Sequence, residues 1–583
     1  MSEPRPYLHA TTADDVHRWL SDIAGARMVA VDTETTGWDP LADELKLVQV
    51  AAAPETPVLV LDTDHVAAAA LRPLLEDRDV LKIFHHGSFD LRFLAAADLR
   101  VHRVADTMLA QQLLDGGEKT PAGVGLKGIA AYRLGMTLDK SVRETFGAGG
   151  PATHDQLRYA ADDAVATLGV FEQQWRELVG HGLTRVAQLE FAALPVLAGM
   201  QLRGVGFDTD LWIREVGALE AELPALESTV QELLVTDTSP QTLFGPEPVN
   251  LESPEQLLEA LARLGLDVPS TREVVLRDHD DHPAVAALLR YRQVAKVTSN
   301  WGGDWAARVV HPATGRIHAD WRQIVGTGRI ACSDPNLTQV PKETRYRACF
   351  GGTDDRVLVV ADYSQQELRI LAAVSGDAAL ADVFRRGGDL HRTTAAMAFG
   401  VPEDGVSPTQ RAAAKALNFG LMYGMGAAGF ARSTGMTLAA AQEAMDAYFA
   451  TFPKVAAWLA EAEAAGRRSG RVRTALGRIR TLDPTAGSVV TLSRNAPIQG
   501  AGADMTKLAM AAVEERLAKR FGDEARRPEG LVLVVHDELV AEVPATAAEE
   551  AAGLVQDGMM AAAQEILGDV PATVDVRISQ RWG

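Results

Sequence analysis

Several acidic residues stand where an ionised carboxylate is expensive. Leu531–Val543 reads LVLVVHDELVAEV: an unbroken apolar run, then His536, Asp537 and Glu538, then alternation. Asp362 closes a second apolar run, RVLVVAD, and Asp32 with Glu34 closes a third, VAVDTE. Asp90 follows a fourth, KIFHHGSFD, while Tyr159 and Asp163 sit at i and i+4 in HDQLRYAADDA, on one helical face. Burying a carboxylate without compensation costs several kcal/mol or more, so cations are the natural partners. Hard oxygen donors suit Mg²⁺ or Mn²⁺, and paired ions can activate an attacking oxygen and stabilise a leaving one in phosphodiester chemistry. Taken singly each signal is weak. A His-Asp-Glu between strands is commonly a solvated turn, D-x-E occurs on many surface strands, and Tyr159 alone reads as a half-buried aromatic.

A second kind of spacing is cationic. Arg411, Lys415, Phe419 and Tyr423 recur every fourth residue, a stripe that drifts only about 40° per step around a helix. Two cations could grip a triphosphate and two aromatics could stack on a base; an amphipathic core helix explains the spacing equally well. Ser364 and Glu367 have the S-x-x-E spacing of a capping box, so Glu367 also reads as a helix cap. Gly466–Thr481 carries six arginines and no acid, a candidate strip for phosphate contacts.

The elements that must position these groups alternate at first. Strands are expected at 28–31, 58–61 and 80–84 and helices at 89–97, 107–114 and 154–178, an α/β pattern. From about 185 to 300 the chain reads as largely helical, with a strand at 357–361, an alanine-rich helical stretch from 377 to 470, and strands at 531–543 and near the end. With 583 residues the chain is too long for one core. A net charge of −21 opposes a polyanionic partner on average, but local potential decides binding. Cys332 and Cys349 are the only cysteines, which argues against a disulfide scaffold and suits a reducing cytosol. The start, MSEPRPYLHATTADDV, has no basic then apolar pattern, and no apolar run approaches the ~20 residues of a membrane span. A cytoplasmic protein with no membrane association is expected.

The order D-x-E, D, Y-x-x-x-D resembles the tyrosine subgroup of the DEDD 3′–5′ proofreading exonucleases. DYSQQELR, RAAAKALNFGLMYG and VHDELV are similar to motifs A, B and C of family A DNA polymerases, the bacterial DNA polymerase I type, and TGRIACSDPNLTQVP and RNAPIQGAGADM match two further blocks in order. SPEQLLEAL resembles a segment leading into the thumb. The resemblance implies an α/β multidomain fold: an RNase H-like exonuclease domain at 1–180, then a right-hand polymerase domain at 181–583. Within the latter the thumb falls at about 185–300, the palm, with an antiparallel sheet, at about 301–376 and 482–583, and the helical fingers at about 377–481.

By the same resemblance Asp32, Glu34, Asp90 and Asp163 hold exonuclease metals and Tyr159 orients the attacking water. Asp362 and Asp537 hold polymerase metals with Glu538 close by. Arg411 and Lys415 contact the incoming triphosphate with His391 assisting, Phe419, Tyr423 and Gln366 line the dNTP pocket, and Glu367 blocks a ribose 2′-hydroxyl. Arg329, Asn336, Asn495, Gln499 and His536 touch the DNA near the primer terminus, where minor-groove contacts check shape without reading sequence. The implied cofactors are two Mg²⁺ per site, replaceable by Mn²⁺. The implied partners are primer–template DNA and dNTPs, with a helicase or other replisome proteins, and the implied state is a monomer in the bacterial cytosol, host or phage-infected. No 5′-nuclease domain is expected. The chain departs from the family pattern at His86 (usually Asn), Gln366 (usually Ile), Thr338–Gln339 (usually Gln-Asn) and Thr491 (commonly Arg, with Arg494 on the next face). Phe419 in place of Tyr implies poor acceptance of dideoxynucleotides. Two other readings remain: a single-subunit RNA polymerase, and a catalytically inactive DNA-end binding protein.

Overall fold

A computed structural model describes residues 5–583 apart from 119, 121, 149, 244 and 354; Met1–Pro4 of the N-terminal segment thus lie outside the described residues. The chain forms two compact units. The first comprises the chain to Gly204 with His318–Thr338 and Gly352–Gln580; the second comprises Val205–Ile317, Gln339–Gly351 and Arg581–Gly583.

The first unit opens with a mixed sheet of β1 (Tyr7–Ala10), β2 (Met28–Thr35), β3 (Leu45–Ala51), β4 (Val58–Asp62), β5 (Leu81–Phe84) and β6 (Val104–Asp106), ordered β1-β4-β3-β2-β5-β6. The β-branched stretches that suggested strands fill its core, with Val29, Val31, Val48, Val60 and Ile83 fully buried. The central strand β2 pairs antiparallel with β3 and parallel with β5, and it extends through Asp32 and Glu34 rather than ending before them. Among the helices of this region are α1 (Ser88–Ala96), α2 (His154–Gly180), started by a Thr153–Gln156 capping box, and α3 (Thr184–Arg203). Helix α3, which the sequence placed at the start of the thumb, clusters with the first unit.

Later in the same unit an antiparallel sheet is built from β7 (Arg356–Tyr363), β8 (Gly530–Val535), β9 (Glu538–Pro544) and β10 (Val574–Ser579), ordered β8-β9-β7-β10. Helices α4 (Gln366–Ser375), α5 (Leu390–Phe399), α6 (Pro408–Met422) and the long α7 (Val489–Phe521) belong to the same unit. Two sequence expectations need correction. Ser364 and Glu367 form no capping box: Gln365 is the N-cap, in a left-handed conformation with φ 56° and no side-chain cap bond, while the Ser364 amide donates to Thr573 O. Not all six arginines of 466–481 are free to join a phosphate-facing strip. Arg478 is buried, Arg467 pairs with Glu463, and the Arg480 guanidinium donates to Gly117 O.

The second unit is mainly helical. Thr209–Leu234 and Pro283–Trp301 pack around Val230, Leu234, Leu257, Leu261 and Leu288. A nest of rings closes it, with Trp212 between Trp301, Trp305 and Phe350 and the Trp212 indole N–H donating to Trp301 O at 3.2 Å. Among the described residues no helix is long and apolar enough to cross a membrane, and both cysteines are free thiols.

Candidate active sites

The sheet β1–β6 carries the first acid set. Asp32 and Glu34 project from β2, Asp163 comes from α2, and carboxylate oxygens of the three lie within 4.8 Å of one another. Asp90, in the first turn of α1, stands outside that trio; its Oδ1 accepts from Thr33 Oγ1 at 2.7 Å. Gln49 on β3 donates to Asp32 Oδ2 at 2.5 Å. The cleft of about 340 Å³ above them is also lined by Tyr159, His86, Phe89 and Trp38. Burial, then repulsion from Asp163, pushes Asp32 up to about 7. Burial and repulsion from Asp32 raise Glu34 and Asp90 well above the carboxylate range, and burial raises Asp163 and the Tyr159 phenol.

Two cations that the sequence reading missed face this cluster. Lys140 donates to Asp163 Oδ2 and, at 3.2 Å, to the Tyr159 hydroxyl, and Arg143 lies over the exposed Trp38 ring. Lys140 lies in an irregular stretch after residue 135 and Arg143 opens a short 3-10 helix that follows it, where no periodicity marks a residue as facing a site.

The second set sits on the sheet β7–β10. Asp362 pairs in register with Glu538 on β9 and with Asp575 on β10, so three acids cross adjacent strands on one face. Asp537 lies in the two-residue turn that joins β8 to β9, where Val535 pairs with Glu538. The turn's first residue, His536, has φ 61°, a conformation that hairpins usually assign to glycine. His86, ahead of Asp90, and Gln365, after Asp362, share that left-handed backbone; such strain in polar residues clusters at functional sites. Burial first, then Asp537, Glu538 and Asp575, raises Asp362 to about 7, and burial raises Asp537 to about 6. Asp575 was also missed, because it lies in an alternating strand with no apolar run to draw attention to it.

Around these acids the family-implied residues form a polar chain. Arg329 donates to Glu367 Oε1 at 2.6 Å, Glu367 hydrogen-bonds the Tyr423 hydroxyl, and Gln499 donates to that hydroxyl at 2.8 Å. Tyr423 caps α6 and is 38% exposed. Arg411 and Lys415 are exposed on the same helix and Phe419 is half-buried, so the stripe faces outward rather than into a core. Arg411 pairs with Asp389 at 2.6 Å. His391 is buried, bonded to Asn418 at 3.0 Å and pushed down to about 4 by burial, so its ring is neutral at physiological pH. Gln366 does not face the exposed stripe. It is buried against α7, within 3.4 Å of Gly502 O and Thr506 Oγ1. Asn336 accepts from the Thr338 amide and hydroxyl in its own loop. Asn495 lies one turn before Gln499 on α7, and Arg494 pairs with Glu463 at 2.8 Å.

Comparison with known proteins identifies the frame. The model of the family described as "DNA polymerase family A" matches residues 221–583, and that of "3'-5' exonuclease" matches residues 7–179. The chain belongs to DNA polymerase family A. It is 34% identical to DNA polymerase I of Pseudomonas aeruginosa over 97% of its own length and 64% of the relative's. It is 32% identical to DNA polymerase I of Chloroflexus aurantiacus over 100% of its own length and again 64% of the relative's. The chain thus spans less than two thirds of the length of these relatives. A solved structure, the POL domain of Pol1 from M. smegmatis in complex with DNA primer-template and dNTP, superposes with a TM-score of 0.82 at 27% identity, covering 98% of this chain and 99% of that one. This family A chain therefore has an α/β exonuclease-type domain followed by a polymerase domain with an antiparallel sheet.

The raised acids carry a stability consequence. An unfolded aspartate titrates near ~4, so Asp362 binds its proton more tightly in the folded protein. Its contribution to stability is present below about pH 4 and is lost as pH rises through 7. In EDTA, Asp362→Asn should therefore melt progressively higher than the parent between about pH 5 and pH 8, and added Mg²⁺ should stabilise the parent more than the variant. Thermal melts across that range check both.

Proposed function

We propose that this chain is a DNA-templated DNA polymerase that extends a primer 3′ end with dNTPs and edits that end with its own 3′–5′ exonuclease, in DNA replication or repair. The observation that carries the reading is the chain Arg329–Glu367–Tyr423–Gln499, which links α4 and α7 to the helix bearing Arg411, Lys415 and Phe419, with Glu367 and Arg329 near enough to Asp537 to act on its charge. On this reading residues 1–180 are the exonuclease; the thumb spans about 185–300, the fingers about 377–481 and the palm about 301–376 with 482–583. The working setting is a monomer on primer–template DNA in the cytoplasm, with helicase or other replisome proteins as partners.

Divalent metal fits the first acid set. Its donors are all oxygen, they converge within 4.8 Å, and Asp163 Oδ1 is buried with no hydrogen-bond partner among the described residues. Asp32, Glu34, Asp90 and Asp163 would hold ions in the exonuclease, and Asp362 with Asp537, beside Glu538, in the polymerase. Bound Mg²⁺, or Mn²⁺ in its place, would make the attacking oxygen more acidic and neutralise the leaving oxygen.

The chain's own residues do the rest. Arg411 and Lys415 offer charged donors to the triphosphate, which requires Arg411 to leave Asp389. Phe419 and Tyr423 offer ring faces to the incoming base. Glu367, held between Arg329 and Tyr423, occupies the place where a ribose 2′-hydroxyl would need room. The neutral His391 positions the ring of Phe419, 5.8 Å away centroid to centroid. Arg329, Asn336, Asn495, Gln499 and His536 supply primer–template contacts. In the exonuclease, Tyr159 remains a protonated hydroxyl donor for orienting water, and Lys140 and Arg143 offset the charge of a bound phosphodiester.

Extension assays with Mg²⁺ and either dNTPs or NTPs test this reading: dNTP incorporation with strong discrimination against ribonucleotides is expected, and ribonucleotide preference would make the chain an RNA polymerase instead. DNA binding without turnover in Mg²⁺ or Mn²⁺ would mark an inactive end-binding protein. Phe419→Tyr should raise dideoxynucleotide incorporation by about tenfold or more, the worth of one hydrogen bond to a charged group; the density of a termination ladder measures it.

A further inference from the structure

One deeply buried group of charges in the first unit lies at neither acid site. Glu190 of α3, Arg478, and Asp504 with Lys507 of α7 make a closed group. Glu190, Asp504 and Lys507 are 0% exposed and Arg478 is 6% exposed. Arg478 donates to Asp504 Oδ1 through Nε at 2.8 Å and Nη2 at 2.6 Å, and also to Glu190 Oε1. Lys507 Nζ donates to Glu190 Oε1 at 2.6 Å, Thr474 to Asp504 Oδ2 at 2.8 Å, and Gln323 to Glu190 Oε2 at 2.6 Å. Two positive and two negative charges cancel. Even so, a buried ion network gains little stability over well-packed apolar side chains, and here Arg478 Nη1 lacks a partner among the described residues. Stability alone does not account for the group.

Its outlet is a turn. Lys507 Nζ also donates to the carbonyl oxygen of Gly328 at 2.8 Å. Gly328 has φ +84°, and a Cβ there would meet Arg478 Cδ and Nε at 2.9 Å, so the arginine stem packs directly on the glycine. The turn is closed by Gly328 N to Val325 O at 2.7 Å and Val325 N to Arg329 O at 3.0 Å. The residue it presents is Arg329, whose guanidinium holds Glu367. We propose that Glu190, Arg478, Asp504 and Lys507 form a buried clamp that fixes the Val325–Arg329 turn and so positions Arg329 to hold Glu367 in its sugar-excluding place. These are positioning residues, since none of them reaches substrate. The inference rests on the polymerase reading, with Glu367 as the residue that discriminates sugars.

The test is the ratio of kcat/KM for a dNTP to that for the matching NTP, which is independent of the fraction of protein folded. Lys507→Met alone would strand Glu190 charge, so it is combined with Glu190→Gln, which leaves Arg478 and Asp504 as a neutral pair. In this double variant the ratio should fall about tenfold, the loss expected for one hydrogen bond to a charged group, while metal-dependent trimming of single-stranded DNA by the exonuclease acids, which none of the clamp bonds reaches, stays at the parent rate. Gly328→Ala attacks the clamp from the other side, through its positive φ and its contact with Arg478, and should lower the same ratio. A parent-like ratio in whichever variant folds overturns the clamp. Failure of the unmodified protein to incorporate any nucleotide overturns the polymerase reading instead.

Discussion

Asp362→Ala and Asp537→Ala should each abolish primer extension, by about 10³-fold or more, while 3′-end trimming continues at the parent rate. The size follows from what each carboxylate is asked to do. A divalent cation acting as Lewis acid on transferring phosphate contributes several kcal/mol of transition-state stabilisation, and each ~1.4 kcal/mol is tenfold in rate. Asp362 sits at the centre of the row Glu538–Asp362–Asp575, and burial with that row pushes it up to about 7. Removing it therefore relieves repulsion, and the folded protein should lose no stability. Glu538→Ala should be milder, because Glu538 pairs across from Asp362 on β9 and on this reading stands beside the two ion-holding aspartates rather than being one of them. Single-turnover extension in excess Mg²⁺ measures the loss, with trimming as the internal control.

Asp32→Ala combined with Glu34→Ala should give the mirror result: trimming down by about 10³-fold or more, extension intact, and mismatched termini no longer removed. The two residues supply two of the three converging ligands, and their joint removal leaves Asp163 held by Lys140 and the Tyr159 hydroxyl. Lys140 is a cation without the open coordination positions of a metal, so it cannot bring an attacking water to the phosphate. Extension should survive because, among the described residues, the lining of this cleft comes from the first 163 positions. Trimming of a 5′-labelled single strand gives the rate directly.

Much of this was legible in the sequence because acids stand out in apolar runs. Asp362 and Asp537 were visible as charges at strand ends, and the sheet places them there; Asp32 read the same way, but β2 runs on through it. The stripe Arg411–Tyr423 could not be oriented from spacing alone; the exposed Lys415 and Tyr423 decide that it faces outward. Glu367 read as a cap because Ser364 lies three residues before it, but Gln365 turns left-handed and releases the side chain to Arg329. Lys140 and Arg143 carry no local signal, since their positions depend on how a loop and the short 3-10 helix after it fold back over β2. The buried clamp was beyond sequence reasoning altogether. Lys507 meets Glu190 across 317 residues, and a lysine on a long helix ordinarily faces solvent. Gln366 looked like a change in the nucleotide pocket, yet its side chain is spent on α7.

The most direct measurement is a gel assay with a 5′-labelled primer, matched or mismatched at its 3′ end, on a longer template with Mg²⁺, first without and then with dNTPs. Shortening without dNTPs, faster for the mismatch, and extension to the template end with dNTPs are expected. Extension without shortening would contradict the exonuclease assignment, and no change in either lane would contradict the enzyme reading as a whole.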